Sequence, residues 1–388
     1  MKSKKKLVLA IVAGALTLLA AVCAVIMAVL GGTLEAQKAD ERWRGENGER
    51  FAQVSIFFPV GSELEETSLY SFHETINSKL AEAGLEQPET GSLWTECYSA
   101  KGKITVEGSR GSSQAAALGV GGDFFLFHPL RLRSGGYISG DDLMQDRVVL
   151  DEELAWKLFG SVDLAGMTVT IGGKPYYIAG VVERETDFAS SKAYTDGPGI
   201  FMSYSALKDM GACSGISCYE LVCADPISGF VSGVVTDGLS NSGAYPVIEN
   251  SARYSLAGTF RVVGDFGERS MNNYGVVYPY WENAARLIED YMALCLVLFI
   301  IFAAMPAVCL LVLAVIWLRR GAAWAKSGAI HLAEEAQEKR YEHMTERSED
   351  RKKRKRAEKR AKTAEKRAKT AGKHAKSRKK ETASSAAE

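Results

Sequence analysis

Residues 147–183 read RVVLDEELAWKLFGSVDLAGMTVTIGGKPYYIAGVVE. Arg147–Leu150 is a short apolar run of strand type. Asp151 stands where a helix N-cap belongs, Glu152–Phe159 carries a helical pattern, and Gly160 is a stop signal. Glu152 and Glu153 suit the positive end of the helix dipole, and Lys157 suits the negative end. Met167–Ile171 and Lys174–Val182 flank Gly172-Gly173, the signature of a two-residue hairpin. Strand, helix and hairpin within 37 residues, without a repeating crossover unit, predict an α+β fold.

Upstream, Phe51–Pro59 has strand character. Ser68–Ala83 places Leu69, Phe72, Ile76 and Leu80 on one helical face, and Gly84 follows as a stop. Two shorter strands are predicted at Trp94–Tyr98 and Lys103–Glu107.

Charge segregates along the chain. Residues 1–6 hold four lysines, residues 31–290 hold 20 Lys and Arg against 36 Asp and Glu, and residues 319–388 hold 23 against 11. Between them lie two uncharged apolar stretches, 7–30 and 291–318. Each suffices to cross a bilayer as a helix, at about 1.5 Å per residue. The first is longer than the apolar core of a cleaved signal peptide, so an uncleaved anchor is expected. Lysines before the first stretch and Arg319-Arg320 after the second both belong on the cytoplasmic side. The expected topology is therefore a two-pass cell-membrane protein: a cytoplasmic N-terminus 1–6, spans 7–30 and 291–318, an extracytoplasmic domain 31–290 and a cytoplasmic tail 319–388. Trp317 and Trp324 sit where an aromatic belt would be, and Pro306 lies mid-span, marking a kink or a packed contact. Small residues at Ala20, Ala24 and Ala28, and at Ala10 and Gly14, offer close helix approach.

Five pieces in sequence carry a family resemblance. Gly119-Val-Gly-Gly-Asp-Phe-Phe125 resembles the G-V-x-x-D-F-F motif of the MacB-like periplasmic core domain. His128–Gly135 is similar to that family's I-P-L-x-x-G-R turn, and Val148–Gly160 to its V-V-L-S-E-x-L-A-x-x-L-F-G. Leu164–Gly173 followed by Tyr176–Val182 is similar to its G-K-x-I-x-I-x-G-x-x-Y-x-V-V-G-V-V. The resemblance implies a two-lobed extracytoplasmic domain of an ABC-type permease, with an outer lobe at about 116–190. It makes Phe201–Met210, Glu220–Leu239 and Tyr245–Glu249 returning βα units of the inner lobe. Tyr280–Asp290 is then a helix running unbroken into the second span. Permeases of this family usually have four spans, and the MacB type has a fused ATPase. Here there are two expected spans and no G-x-x-x-x-G-K-[ST] phosphate loop. An ABC ATPase and multi-span permease chains acting in trans are the implied partners.

The search for chemistry yields no catalytic, cofactor-binding or metal residue. His73 and His128, the two histidines of 31–290, lack a ligand pattern and are expected to be structural or surface groups. Cys97, Cys213, Cys218 and Cys223 allow one disulfide in an oxidising compartment, although Cys223 also fits a buried strand position. Cys23, Cys295 and Cys309 fall in the spans as small apolar residues. Gly211-Ala-Cys-Ser-Gly215 matches a nucleophile elbow in letters only, because a helix precedes it and no strand does. Asp141-Asp142 and Glu152-Glu153 are expected to solvate and cap rather than catalyse.

The tail is helix-prone over Ala322–Ser348 and wholly basic over Arg351–Arg356. A seven-residue repeat follows, with alanines at 357, 361, 364, 368, 371 and 375. Alanine buries too little for a firm coiled coil, so a single helix or a disordered arm is expected. Its charge suits anionic lipid or another polyanion. Together these readings favour a non-enzymatic permease-like or accessory subunit of an ABC-type export or cell-envelope complex. The alternative is a membrane-anchored extracytoplasmic binding or sensory module unconnected to transport. An extracellular enzyme has little support.

Overall fold

The computed structural model describes residues 2–45, 50–88, 91–140, 142–194, 199–240, 245–269 and 275–384. The chain divides into two compact units, Met1–Pro306 and Ala307–Glu388. The strands are β1 (Phe51–Phe57), β2 (Trp94–Gly108), β3 (Gly111–Gly122), β4 (Leu132–Gly135), β5 (Arg147–Asp151), β6 (Thr168–Ile171), β7 (Lys174–Val182), β8 (Ile200–Ser203), β9 (Cys218–Ala224) and β10 (Val247–Glu249). The helices are α1 (Lys2–Gly31), α2 (Ala39–Arg44), α3 (Glu66–Glu82), α4 (Phe124–Phe127), α5 (Glu152–Phe159), α6 (Phe188–Ala193), α7 (Tyr204–Asp209), α8 (Phe230–Leu239), α9 (Asn250–Arg253), α10 (Leu256–Gly264), α11 (Phe266–Arg269) and α12 (Tyr280–Ser384).

The decisive stretch folds as its residues dictate. The Asp151 carboxylate accepts from the Leu154 amide at 2.7 Å, and Gly160 closes α5 in the left-handed region at φ 72°. Gly172 and Gly173 sit at φ 57° and 79°, which a two-residue hairpin needs and glycine adopts freely. On α3, Leu69, Phe72, Ile76 and Leu80 are all buried. Each such side chain contributes about 1.5–3 kcal/mol of burial.

The two short strands expected at 94–98 and 103–107 are one strand, β2. It stays continuous because β3 pairs with it from Cys97↔Gly122 to Gly108↔Gly111. β3 itself was not anticipated before Gly119. Its sequence, GSSQAAALGVGG, is poor in the branched and aromatic residues that mark strands.

The sheet runs β10-β1-β9-β2-β3-β8-β5-β7-β4, with β6 joining β7 to β2. The path β2, β3, β8, β5, β7, β6 therefore returns to β2, through Val106↔Ile171 and Glu107↔Thr170. Inside this ring lies one apolar cluster, including Ile104, Val106, Val148, Leu150, Val169 and Ile178. It begins before residue 116 and extends past 190, to Ile200 and Leu207. A larger cluster, built on β1, β9, α3 and α8, includes Ile56, Phe72, Ile76, Tyr219 and Leu221. β8 and α7 serve both, with Phe201 and Tyr204 in the larger cluster and Met202 and Leu207 in the smaller.

A third, small cluster joins Leu34, Ala284, Ala285, Ile288 and Met292, with Met27 and Leu30 of α1 against it. On α1 the buried positions are Ala20 and Cys23, whereas Ala28 is exposed and a Cβ on Gly14 would meet nothing within 4 Å. The contact stripe is thus 20, 23, 27 and 30 rather than every fourth alanine, the three-then-four spacing of helices packed at a shallow angle.

Among the described residues, two helices are long and apolar enough to cross a membrane: α1 over Leu7–Gly31, and α12. The unit Ala307–Glu388 is helical over its described residues to Ser384, and its described side chains are exposed, Cys309 partly so. Ala357, Ala361 and Ala364 of the repeat are among the exposed ones.

Candidate functional site at the root of the second apolar helix

α12 begins inside the folded domain. Trp281, Ala284, Ala285 and Ile288 are buried on its first turns. Among them, on the same apolar face, stand Glu282 and Glu289, seven residues and two helical turns apart, both buried. Arg253, at the end of α9, lies between them. Its Nη1 and Nη2 donate to the two Glu282 oxygens at 2.9 and 3.0 Å, and its Nε donates to Glu289 Oε1 at 2.8 Å. Nη1 also reaches Gln37 Oε1 at 2.9 Å, in the turn that follows α1. Arg269 of α11 adds a pair to Glu289 at 2.5 Å, and Arg286 pairs with Glu282 at 2.8 Å.

Four segments thus converge on one guanidinium and two carboxylates. Burial alone opposes charge on Arg253, but Glu282 and Glu289 more than offset it and hold its pKa well above the ordinary value. Burial likewise opposes charge on Glu289, and Arg253 and Arg269 reverse that, leaving its pKa below the usual carboxylate range. Arg253 and Glu289 therefore stay ionised. An arrangement of this kind fixes the direction in which α12 leaves the domain. Charges in low dielectric are geometry-sensitive, and breaking such a pair costs about 3–5 kcal/mol.

A cavity of about 500 Å³ opens beside this root, lined by Lys101, Lys103, Leu118, Tyr278, Trp281 and Asn283. Lys101 Nζ donates to the Tyr278 carbonyl at 2.8 Å, and burial lowers its pKa. Tyr280 stacks on Tyr194 with ring centroids 4.0 Å apart. A molecule in the cavity would touch both the β2–β3 hairpin and the first turn of α12.

His128, expected to be a structural or surface group, is buried against the sheet. Its Nε2 lies 2.5 Å from Glu220 Oε2, and its ring is 4.4 Å from that of Trp281. Ser55 donates to Glu220 Oε1 at 2.8 Å, and Asn250 donates to Ser55 at 2.6 Å. Burial would raise the Glu220 pKa, but His128, Ser55 and Cys97 together hold it below the ordinary value. Cys97, His128 and Glu220 bring three ligand-type atoms within 4.8 Å of one another. Two ligands at zinc–nitrogen and zinc–oxygen distances in a tetrahedron sit about 3.3 Å apart. The 2.5 Å separation is that of a hydrogen bond, and the trio as it stands is a proton-held network. His73 lies on the opposite side of β2, with Nε2 2.8 Å from Glu96 Oε1. The Tyr219 hydroxyl donates to the other Glu96 oxygen at 2.6 Å.

All seven cysteines are free thiols. The disulfide that the sequence allows is not formed, and for one pair strand geometry forbids it. Cys218 and Cys223, five residues apart on β9, face opposite sides of the sheet. Burial pushes Cys97 and Cys218 well up, and Cys223 up to about 12, so these thiols are inert. Cys213 lies in the loop from α7 to β9, a helix-to-strand connection that cannot form a nucleophile elbow. Glu152 and Glu153 pair with Arg133 and Arg184. Of the other acidic pair, Asp142 pairs with Arg147 at 3.5 Å, and Asp141 lies outside the described residues.

A model of the MacB-like periplasmic core domain matches residues 10–220, more than half of the sequence. The chain belongs to this family. Among its curated relatives, the macrolide export ATP-binding/permease protein MacB 2 of Aeromonas hydrophila is 30% identical over 137 residues, covering 34% of this chain and 20% of its own. MacB of Chromobacterium violaceum is 36% identical over 80 residues, covering 20% and 12%. The chain therefore spans a fifth or less of the length of these relatives. The solved extracellular domain of the noncanonic ABC-type transporter YknZ from Gram-positive bacteria aligns over 51% of this chain and 100% of its own, at 17% identity and a TM-score of 0.35. The periplasmic region of MacB from Actinobacillus actinomycetemcomitans aligns over 57% and 92%, at 17% identity and 0.34.

The matched segment ends at Glu220. The Arg253 centre lies beyond it, where sequence reading found only a helix. Its signal was present: two acids seven apart on a face otherwise made of Trp281, Ala284, Ala285 and Ile288. Such acids require a buried cation.

Proposed function

We propose that this chain is a non-enzymatic, permease-like subunit of an ABC-type export or cell-envelope complex, in which the extracytoplasmic domain is coupled to membrane partners through α12. Both termini are cytoplasmic in this reading, and residues 31–290 are outside. The larger cluster is the core of a membrane-near lobe and the strand ring is the core of an outer lobe. The observation that carries the proposal is the Arg253–Glu282–Glu289 centre. It ties the domain to a helix that continues from Tyr280 into an apolar stretch. In this reading, motion of α12 between Tyr280 and Pro306 is passed to the domain rather than absorbed at the helix root.

The two curated relatives are named as ATP-binding/permease proteins. In this chain the ATP-driven step falls to partner chains, and the cavity beside α12 is where a substrate or envelope ligand would act on the helix root. The basic tail rests against anionic lipid. Affinity purification of the full chain from native membranes in mild detergent, followed by mass spectrometry, tests the proposal. Recovery of an ABC ATPase with a multi-span permease is expected. Recovery of the chain alone, or with envelope proteins only, would overturn it in favour of a binding module unconnected to transport.

A further inference from the structure

α10 carries an apolar face that the domain leaves open. Thr259 and Val262 turn inward and are buried. Leu256, Phe260 and Val263, at i, i+4 and i+7, are 64%, 49% and 36% exposed, and Phe266 of α11 is 54% exposed. Arg261 and Asp265 lie on the remaining face. A short helix with this division fits an interface between water and hydrocarbon, with its axis in the plane.

The position of this face is set by contacts on both sides. Just before α10, Tyr254 lies against the end of α1, its Cβ 3.5 Å from where a Cβ on Gly31 would stand. Tyr254 also packs on the cluster of Leu34, Ala285 and Met292. Just after α10, Arg269 donates to the Arg286 carbonyl at 3.1 Å and pairs with Glu289 and Asp290. α10 is therefore held at the level where both apolar helices leave the domain. The exposed apolar residues Val25 and Val29 of α1, and Leu294 and Val297 of α12, begin at that level. On α6 a second group marks the same height. Phe188, 48% exposed, meets Tyr291 edge-on with centroids 5.3 Å apart, and Lys192 Nζ lies 4.1 Å from the Phe188 ring. Aromatic rings with a neighbouring cation are typical of the headgroup boundary.

We infer that α10 and the start of α11 lie in the outer-leaflet interface as a membrane-resting apron, with Leu256, Phe260, Val263 and Phe266 dipping among the lipid acyl chains. The occupant is the bilayer surface itself, because the open face is continuous with the apolar surface of the two helices. The apron holds the base of the domain level while α12 moves. The inference rests on the reading that α1 and α12 cross the membrane.

Photo-crosslinking of the full chain in phosphatidylcholine–phosphatidylglycerol nanodiscs tests it. p-Benzoylphenylalanine replaces, one at a time, Phe260, Val263, Val25 in α1, and Tyr70, exposed on α3. Lipid adducts are expected at 260, 263 and 25, and none at 70. Lipid adducts at 25 with none at 260 and 263 would overturn the apron and leave the topology standing. Protein adducts at 260 and 263 would overturn it in favour of a partner chain on this face. No lipid adduct at 25 either would remove the two-pass reading, and the apron with it.

Discussion

Two buried polar centres differ in what surrounds them. Glu220 and His128 sit on the face of a sheet whose strands β1, β9 and β2 are already bonded along their length. Arg253, Glu282 and Glu289 join a turn, two short helices and α12, and no strand ladder links any of these. The apolar contact there is the small cluster around Ile288 and Met292, together with Tyr280 and Trp281, which reach the larger cluster. In the sheet, charge decorates a structure that the ladder holds. At the helix root, charge joins segments that no ladder connects. A joint of that kind is specific in direction, which suits the proposed role of α12 in passing on motion.

The largest expected effect is at the root. Arg253→Met leaves Glu282 and Glu289 buried without their shared partner, and should cost about 3–5 kcal/mol in unfolding of the detergent-solubilised chain. Replacing all three together, as Arg253→Met with Glu282→Leu and Glu289→Leu, should recover most of that loss. Recovery with α12 no longer held in one orientation would separate stability from direction.

The sheet centre should respond less. Glu220→Gln keeps an acceptor for Ser55 but removes the carboxylate that bonds His128, for an expected loss of about 2–3 kcal/mol. The folded-state pKa of Glu220 is depressed, so its contribution is fully present above the unfolded carboxylate value and is lost as pH falls through the folded value. The difference between Glu220→Gln and the parent chain, followed by denaturant titration, should narrow below about pH 4.5. A loss at Glu220 exceeding that at Arg253 would invert the comparison.

Gly180→Ala probes packing without charge. A Cβ there would stand 2.4 Å from the Gly136 carbonyl and 2.7 Å from that of Ser134, where β4 crosses β7. Backbone atoms cannot step aside, so a loss of about 1–3 kcal/mol is expected in thermal unfolding. The smallest effect falls at His73, partly exposed against Glu96. The Glu96 hydrogen bond raises the His73 pKa, so its contribution is present below the unfolded imidazole value and fades as pH rises through the folded one. His73→Gln should cost about 0.5 kcal/mol at pH 5.5 and nothing measurable at pH 9, by the same titration.

What the sequence made legible followed local signals. Asp151, Gly160 and Gly172-Gly173 act through their own backbone, and their elements fell where they were expected. α3 announced itself by a four-residue apolar stripe. β3 did not, because Ser112–Ala117 owes its extended form to pairing with β2 and not to its own side chains. The Glu220–His128–Cys97 network joins residues 92 and 123 positions apart, and Arg253 meets Gln37 across 216. No spacing rule reaches that far. The family motifs, concentrated in 119–183, define turns and caps, whereas the root of α12 lies outside them.

The account rests on Arg253 holding α12 to the domain. Hydrogen exchange on the full chain in nanodiscs, parent against Arg253→Met, tests this most directly. The account predicts faster exchange confined to Tyr280–Asp290 and α9–α11, with β1, β2 and β9 protected as before. Unchanged protection at Tyr280–Asp290, or a uniform loss across the sheet, would contradict it.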